Sequence, residues 1–296
     1  MRAWLHGPTL FVHSPAKLNL FLEILARRDD GFHELETLML SLALHDTLAI
    51  QSTADERSSL RVVDGGGGID TIPAGRDNLV LRAVDLLQRH TGIPQQTHIT
   101  LWKRVPPQSG MAGGSSNAAA TLFGLNRVWD IGLSNGELLQ LGAQLGSDVN
   151  FFLSGHAAAI CRGRGEIIEP VAFPYAYSFV IVKPGSGLST PDVFRNWTPS
   201  AKRRTAGPLL SALQRGRLPA VGNHLHNALQ QPAQRLNRDV AALIAVFNTL
   251  PVTGHLMTGS GTACYGLCAH QTVARRLAAR LRALRVGRVM TTRIAV

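Results

Sequence analysis

The chain has 296 residues, enough for two ordinary domains or one large one. A composition 45% hydrophobic and 17% charged is that of a globular protein and excludes a disordered one; no apolar run approaches the roughly 18 residues that span a bilayer, so no membrane partner is expected. The net charge of +11 rests on 30 basic residues of which only four are lysines, and the arginines that crowd residues 275–285 are spaced around a helix without interleaved aromatics, so a solvated helix face is expected and nucleic acid is not an expected partner.

In chain order, Met1 to Phe11 lacks the combination of charged start, long apolar core and small-residue cleavage site that marks a signal peptide. Leu10–Val12 and Lys17–Leu25 read as strands. In the second, Leu18, Leu20, Leu22 and Ile24 alternate with Lys17, Asn19, Phe21 and Glu23, so Lys17 and Asn19 share a face. Asp29-Asp30-Gly31 is a turn, and 35–40 and 47–51 are further strands. Asn78 to His90 has helical spacing with Gly92 as its stop, and His98–Trp102 is a strand. It leads into a loop of small residues, Pro106-Pro107-Gln108-Ser109-Gly110-Met111-Ala112-Gly113-Gly114-Ser115-Ser116, and an Ala-rich helix.

Ser134 and Glu137 form a capping box for the next helix, which ends at Gly146; Asp148 follows. A hairpin is expected over 157–168, a strand over 179–182, a helix starting at Ser189-Thr190-Pro191, and helices at roughly 207–214, 220–230 and 233–249. Strands at 255–257 and 263–267 flank the turn Gly259-Ser260-Gly261-Thr262, before a helix over 273–284 and a strand over 288–294. From residue 179 onwards the order is strand, helices, strand, strand, helix, strand, which fits a split βαβ arrangement on one antiparallel sheet. Pro170 and Pro174 mark a domain boundary, giving domains 1–170 and 171–296. Cys161, Cys264 and Cys268 read as buried free thiols of a reducing cytoplasm, and Cys264 and Cys268 lack the second ligand pair of a zinc site.

The loop at 106–116 has the properties of an anion cradle. Its glycines let backbone N–H groups come close to a phosphate, and the helix start behind it adds unpaired donors and partial positive charge. The alternative phosphate loop, G-x-x-x-x-G-K-[ST], is absent. Ser115 and Ser116 read either as helix caps or as hydroxyls for phosphate or Mg2+, and one can do each. Gly259–Thr262 reads equally as an ordinary turn.

The ordered set Pro15-Ala16-Lys17-Leu18-Asn19, Gly31-Phe32-His33, the 106–116 loop with Asn117-Ala118-Ala119, Gly146-Ser147-Asp148-Val149 and Gly259-Ser260-Gly261-Thr262-Ala263-Cys264 resembles the GHMP kinase superfamily. Within it, the early Pro-Ala-Lys-Leu-Asn and the Gly-aromatic-His resemble the branch that phosphorylates a cytidine-diphosphate-linked methylerythritol. The resemblance implies a two-domain α/β (α+β) fold, with an N-terminal ribosomal-protein-S5-like domain and a C-terminal ferredoxin-like domain. It implies ATP as co-substrate and a small-molecule alcohol as acceptor; Mg2+ is expected from the chemistry of phosphoryl transfer. Lys17 and Asp148 match the catalytic pair, and Pro106 to Ser116 match the loop that wraps the ATP phosphates. Asn19, Phe32, His33, Thr190 and Phe194 match the substrate pocket, with Phe32 and Phe194 on the two faces of the cytosine. No metal-binding residue is implied, and a monomer or weak homodimer is expected. Gln108, Ser109 and Ala112 stand where the family often has glycine, Phe32 where Tyr is common, and His226 where an acidic residue is frequent. The region around Asn227 is therefore not included in the expected site.

Overall fold

The computed structural model describes residues 1–68, 72–73, 75–200 and 202–295. The described strands are β1 (Ala3–His6), β2 (Thr9–Arg27), β3 (His33–Thr53), β4 (Ser59–Asp64), β5 (Gln96–Lys103), β6 (Ala158–Gly163), β7 (Ile167–Pro170), β8 (Ser178–Lys183), β9 (His226–Asn227), β10 (Gly254–Met257), β11 (Cys264–Cys268) and β12 (Arg288–Arg293). The helices are α1 (Leu79–Thr91), α2 (Gly113–Val128), α3 (Asn135–Leu145), α4 (Val149–Leu153), α5 (Thr190–Arg195), α6 (Gly207–Gln214), α7 (Leu218–His224), α8 (Gln230–Leu236), α9 (Arg238–Asn248) and α10 (Gln271–Ala283). They form two compact units, each assembled from three stretches of chain: 1–16, 44–107 and 112–156 in the first, 17–43, 108–111 and 157–296 in the second.

In the first unit, β1 pairs antiparallel with the start of β2 (Ala3 opposite Val12). The end of β3 pairs antiparallel with β5 (Thr47 opposite Trp102), and β5 pairs in parallel with β4. Apolar residues of α1 (Val80, Ala83, Val84, Leu87) and of α2 (Ala118, Leu122, Leu125) are buried where the two helices pack. Asn78 caps α1, accepting from the N–H of Val80, and Gly92 ends it in the left-handed conformation. The capping box of Ser134 and Glu137 is formed at the start of α3.

In the second unit, β3 pairs with β6 (Leu35 opposite Gly163) and β6 with β7, while β9 lies parallel to β2. A separate four-stranded antiparallel sheet has the order β10-β11-β8-β12. With the helices between β8 and β10 and α10 between β11 and β12, this is the ferredoxin-like split βαβ unit expected from the sequence. Its core joins Val180, Val182, Met257 and Cys264 of the sheet to Leu243 and Phe247 of α9, Leu277 and Leu281 of α10, and Leu22 and Ile24 of β2. The three thiols are free and buried, and burial pushes that of Cys264 well up and that of Cys268 up to about 11.

Several boundaries differ from those expected, each for a local reason. The two early strands are one, because Pro15 costs no ladder bond. His13 N–H reaches Arg2 O and Lys17 N–H reaches Met111 O, and Pro15 lies between them on the same edge. The helix expected over 220–230 breaks at Leu225, and the next two residues add to β2 as β9. The helix expected over 233–249 breaks at Asn237, whose side chain accepts from the N–H groups of Asp239 and Val240 and so starts α9. The single turn α4, missed in the sequence, follows Asp148 directly.

Candidate active site

In the first unit, α2 begins at Gly113, two residues before the serines expected to cap it. Ala112 precedes it in the left-handed conformation (φ 54°), and no side chain caps this end. Ser115 and Ser116 therefore lie in the first turn, where the backbone donors and the positive end of the helix dipole lie. Ser116 is buried and accepts from Ser14 Oγ at 2.8 Å. The neighbouring Asn117 Nδ2 donates to Ser14 Oγ (2.8 Å) and to Asp46 Oδ2 (3.0 Å). Gln108 (φ 50°) also takes the left-handed conformation. So at two of the positions where the family often has glycine, this chain keeps a glycine-like backbone without the glycine.

The turn carrying Asp148 packs in the same unit. A Cβ on Gly146 would stand 3.8 Å from Ser115 Oγ, and α2, α3 and α4 pack on one another. Asp148 occupies the N-cap position of α4 but makes no capping hydrogen bond with its side chain. Its position at the start of α4, after the turn that ends α3, is therefore not that of a helix cap.

In the second unit, Lys17 and Asn19 do share a face of β2, and both are buried. Lys17 is only 3% exposed, so it does not reach to bulk solvent. Its Nζ donates to Asn19 Oδ1 at 2.5 Å. Asn19 is fixed on every side: its Nδ2 donates to Thr37 Oγ1 (2.8 Å), its N–H to Thr258 Oγ1 (3.1 Å), and its carbonyl accepts from Tyr265 Oη (2.9 Å). Thr258 in turn donates to Asn19 Oδ1 at 3.2 Å. The turn 259–262 meets residues 108–111 here. Ala263 N–H reaches Ser109 O at 3.2 Å, and a Cβ on Gly110 would fall 2.1 Å from Thr258 O. Gly110 also has φ 73°, so the close approach and the backbone both require glycine.

Asn227 was not expected in this region, yet its Nδ2 donates to Met257 O and Gly259 O, both at 2.8 Å, and holds the turn. His226, beside it, faces Glu23 at 3.1 Å, and burial keeps its pKa below the usual histidine value. The signal in the sequence was a polar His-Asn pair between apolar neighbours, which helical spacing obscured.

His33, Phe194 and Trp197 form a second cluster in this unit. The ring of His33 is 5.0 Å from that of Phe194 and meets Trp197 edge-on at 5.9 Å. Burial, with Arg27 adding to it, lowers the pKa of His33, so the ring is neutral near neutral pH and offers one donor and one acceptor. Phe32 is not in this cluster: it is 50% exposed, with the Arg164 guanidinium 4.7 Å above its ring. Thr190 opens α5, and its hydroxyl pairs with Ser260 Oγ at 2.7 Å. Trp197 was missed because nothing in its spacing separates it from a core tryptophan. Phe194→Ala is expected to raise KM for a pyrimidine-bearing substrate by roughly tenfold or more, the worth of one stacked base, with KM for ATP little changed. Equal effects on the two constants, measured by steady-state kinetics, would remove Phe194 from the pocket.

The chain matches the models for the GHMP kinases N terminal domain over residues 78–162 and the GHMP kinases C terminal over residues 209–285. It is 39% identical to the 4-diphosphocytidyl-2-C-methyl-D-erythritol kinase of Pelotomaculum thermopropionicum over 90% of this chain and 92% of that one. Its identity to the protein of the same name from Shouchella clausii is 36%, over 90% and 88% of the two chains. A crystal structure of 4-(cytidine 5'-diphospho)-2C-methyl-D-erythritol kinase superposes with a TM-score of 0.80 at 35% identity, covering 97% of this chain and 100% of that one. The chain belongs to the GHMP kinases and, within them, to the 4-diphosphocytidyl-2-C-methyl-D-erythritol kinase family.

Proposed function

We propose that the chain transfers the γ-phosphoryl group of ATP to the 2-hydroxyl of 4-diphosphocytidyl-2-C-methyl-D-erythritol, giving the 2-phosphate and ADP, a step of the non-mevalonate route to isopentenyl diphosphate. The observation that carries this reading is the locked pair of Lys17 and Asn19 against the 258–262 turn, in a chain of this family. In this reading the cytidyl alcohol is the partner, and the chain works in the cytoplasm as a monomer or weak homodimer. Residues 1–170 and 171–296 are the family's two domains, a division supported by family matches that fall on either side of residue 170.

The roles follow from the chemistry. Phosphoryl transfer asks a protein chiefly for positioning and for positive charge where charge develops. The donors of the first turn of α2 and the loop Pro106–Ser116 hold the phosphates. Asp148 accepts or orients the hydroxyl proton as the oxygen–phosphorus bond forms and the bond to ADP breaks. The Lys17 ammonium steadies the incoming oxygen or the transferred group. Neutral His33 meets the edge of the cytosine, with Phe194 against its face and Asn19 and Thr190 among the polar contacts; Phe32, exposed beneath Arg164 and outside that cluster, is given the opposite face on the family resemblance alone. Mg2+ supplies charge neutralisation on the phosphates when bound. The donor set fits an ion carried by the nucleotide, because no group of three His, Cys, Asp or Glu among the described residues forms an all-protein cage.

A coupled assay of ADP release tests the reading. Turnover is expected with the cytidyl substrate and not with unsubstituted methylerythritol, mevalonate or homoserine. Equal turnover of a plain alcohol would redirect the proposal to another small-molecule kinase of the superfamily.

A further inference from the structure

Asp46 is a fully buried carboxylate to which neither the sequence reading nor the mechanism gives a role. It lies in β3 and receives four donors. Lys103 Nζ reaches Oδ2 at 2.5 Å, Asn117 Nδ2 reaches Oδ2 at 3.0 Å, and the N–H groups of Arg104 and Val105 reach Oδ1 at 2.6 and 2.8 Å. Arg104 and Val105 are the residues from which the small-residue loop departs, and Asn117 is the fifth residue of the helix into which it returns. One carboxylate therefore ties both stems of the loop. The second tie runs through Asn117 to Ser14, whose hydroxyl donates to Ser116.

Lys103 takes part without room to spare. Its ammonium also donates to Val105 O at 2.7 Å, and a Cβ on Gly113, the first residue of α2, would fall 2.8 Å from it. A buried ion pair of this kind is poor evidence for stability, because desolvation offsets much of the attraction. Its geometry is what distinguishes it: the carboxylate spends two acceptor positions on backbone N–H groups of one stem and one on a side chain of the other. Charge-assisted bonds of this type fix a backbone more tightly than neutral ones.

We propose that Asp46 is a positioning residue for the phosphate loop, holding its two stems at the spacing at which the start of α2 meets a nucleotide phosphate. The inference rests on the reading of 106–116 as the ATP loop. Two variants of the full chain test it, Asp46→Asn and Asn117→Ala, each measured for KM of ATP, KM of the cytidyl alcohol, ADP affinity by calorimetry and thermal unfolding. Asn117→Ala cuts the tie between the stems but leaves the Lys103–Asp46 pair intact, so it decides the question if Asp46→Asn does not fold.

The expected result is a loss of ADP affinity and a rise in KM for ATP of at least about tenfold, the scale of a hydrogen bond to a charged group. KM for the cytidyl alcohol should stay within about twofold, a split that general loosening of the fold would not produce. Unchanged ADP affinity in Asn117→Ala, or equal weakening of both substrates, would overturn the proposal. An unaltered chain that binds ADP but ignores the cytidyl alcohol would sink only the substrate assignment, and the ADP titrations would still decide the role of Asp46. An unaltered chain that binds no ADP would sink both.

Discussion

Asp148→Asn is expected to lower kcat roughly 10²–10⁴-fold, the range associated with a positioned general base, while KM for both substrates and the unfolding temperature change little. The substitution is nearly isosteric and removes only the charge and the ability to take a proton. Asp148 does not cap α4 with its side chain, and the thermal melt reports directly whether the substitution has disturbed the fold. An intact fold with collapsed turnover would therefore place the effect on the chemical step. Steady-state kinetics beside a thermal melt make the distinction, and near-normal kcat in a folded variant would remove Asp148 from the reaction.

The second large effect is expected at Lys17. Lys17→Met keeps the aliphatic stem that fills its buried position and deletes the ammonium. A kcat loss of roughly 10²–10³-fold is expected, the scale of one preorganised electrostatic group. Asn19 Oδ1 keeps a partner, because Thr258 Oγ1 still donates to it at 3.2 Å, so the polar cluster survives. Lys17→Arg should fare no better. The site is buried and holds a compact charge that donates to Asn19 Oδ1 at 2.5 Å, a geometry that a forked, planar guanidinium does not reproduce. Recovery of turnover in the arginine variant would show that only net charge is needed there and would contradict the positional role.

The parts of the fold that were legible in the sequence are those written in short-range rules. The capping box at Ser134, the left-handed stop at Gly92, the proline-led start of α5 and the alternation that put Lys17 beside Asn19 all lie within a few residues of their cause. The order of strands and helices after residue 178 was sufficient for the split βαβ unit. What was not legible depends on residues distant in sequence. Asn227 matters because it meets Met257 and Gly259, and Asp46 because it meets Lys103 and Asn117; neither side chain carries a local mark of its role. The serines of the loop were misplaced for a similar reason. A cap is inferred from residue type, but here the backbone turn at Ala112 starts the helix earlier than any hydroxyl could.

The interleaving of the two units along the chain bears on how the molecule is made. Every stretch of the first unit has been synthesised once His156 has emerged, so that unit can close early. The segment 17–43 is older than most of it, yet the cluster that holds Leu22, Ile24 and Leu35 is completed by residues from Val180 to Val289. A greasy hairpin must therefore wait for its full cover until the last part of the polypeptide has been added, and that interval is when the growing chain is most exposed to misassociation and most in need of a chaperone.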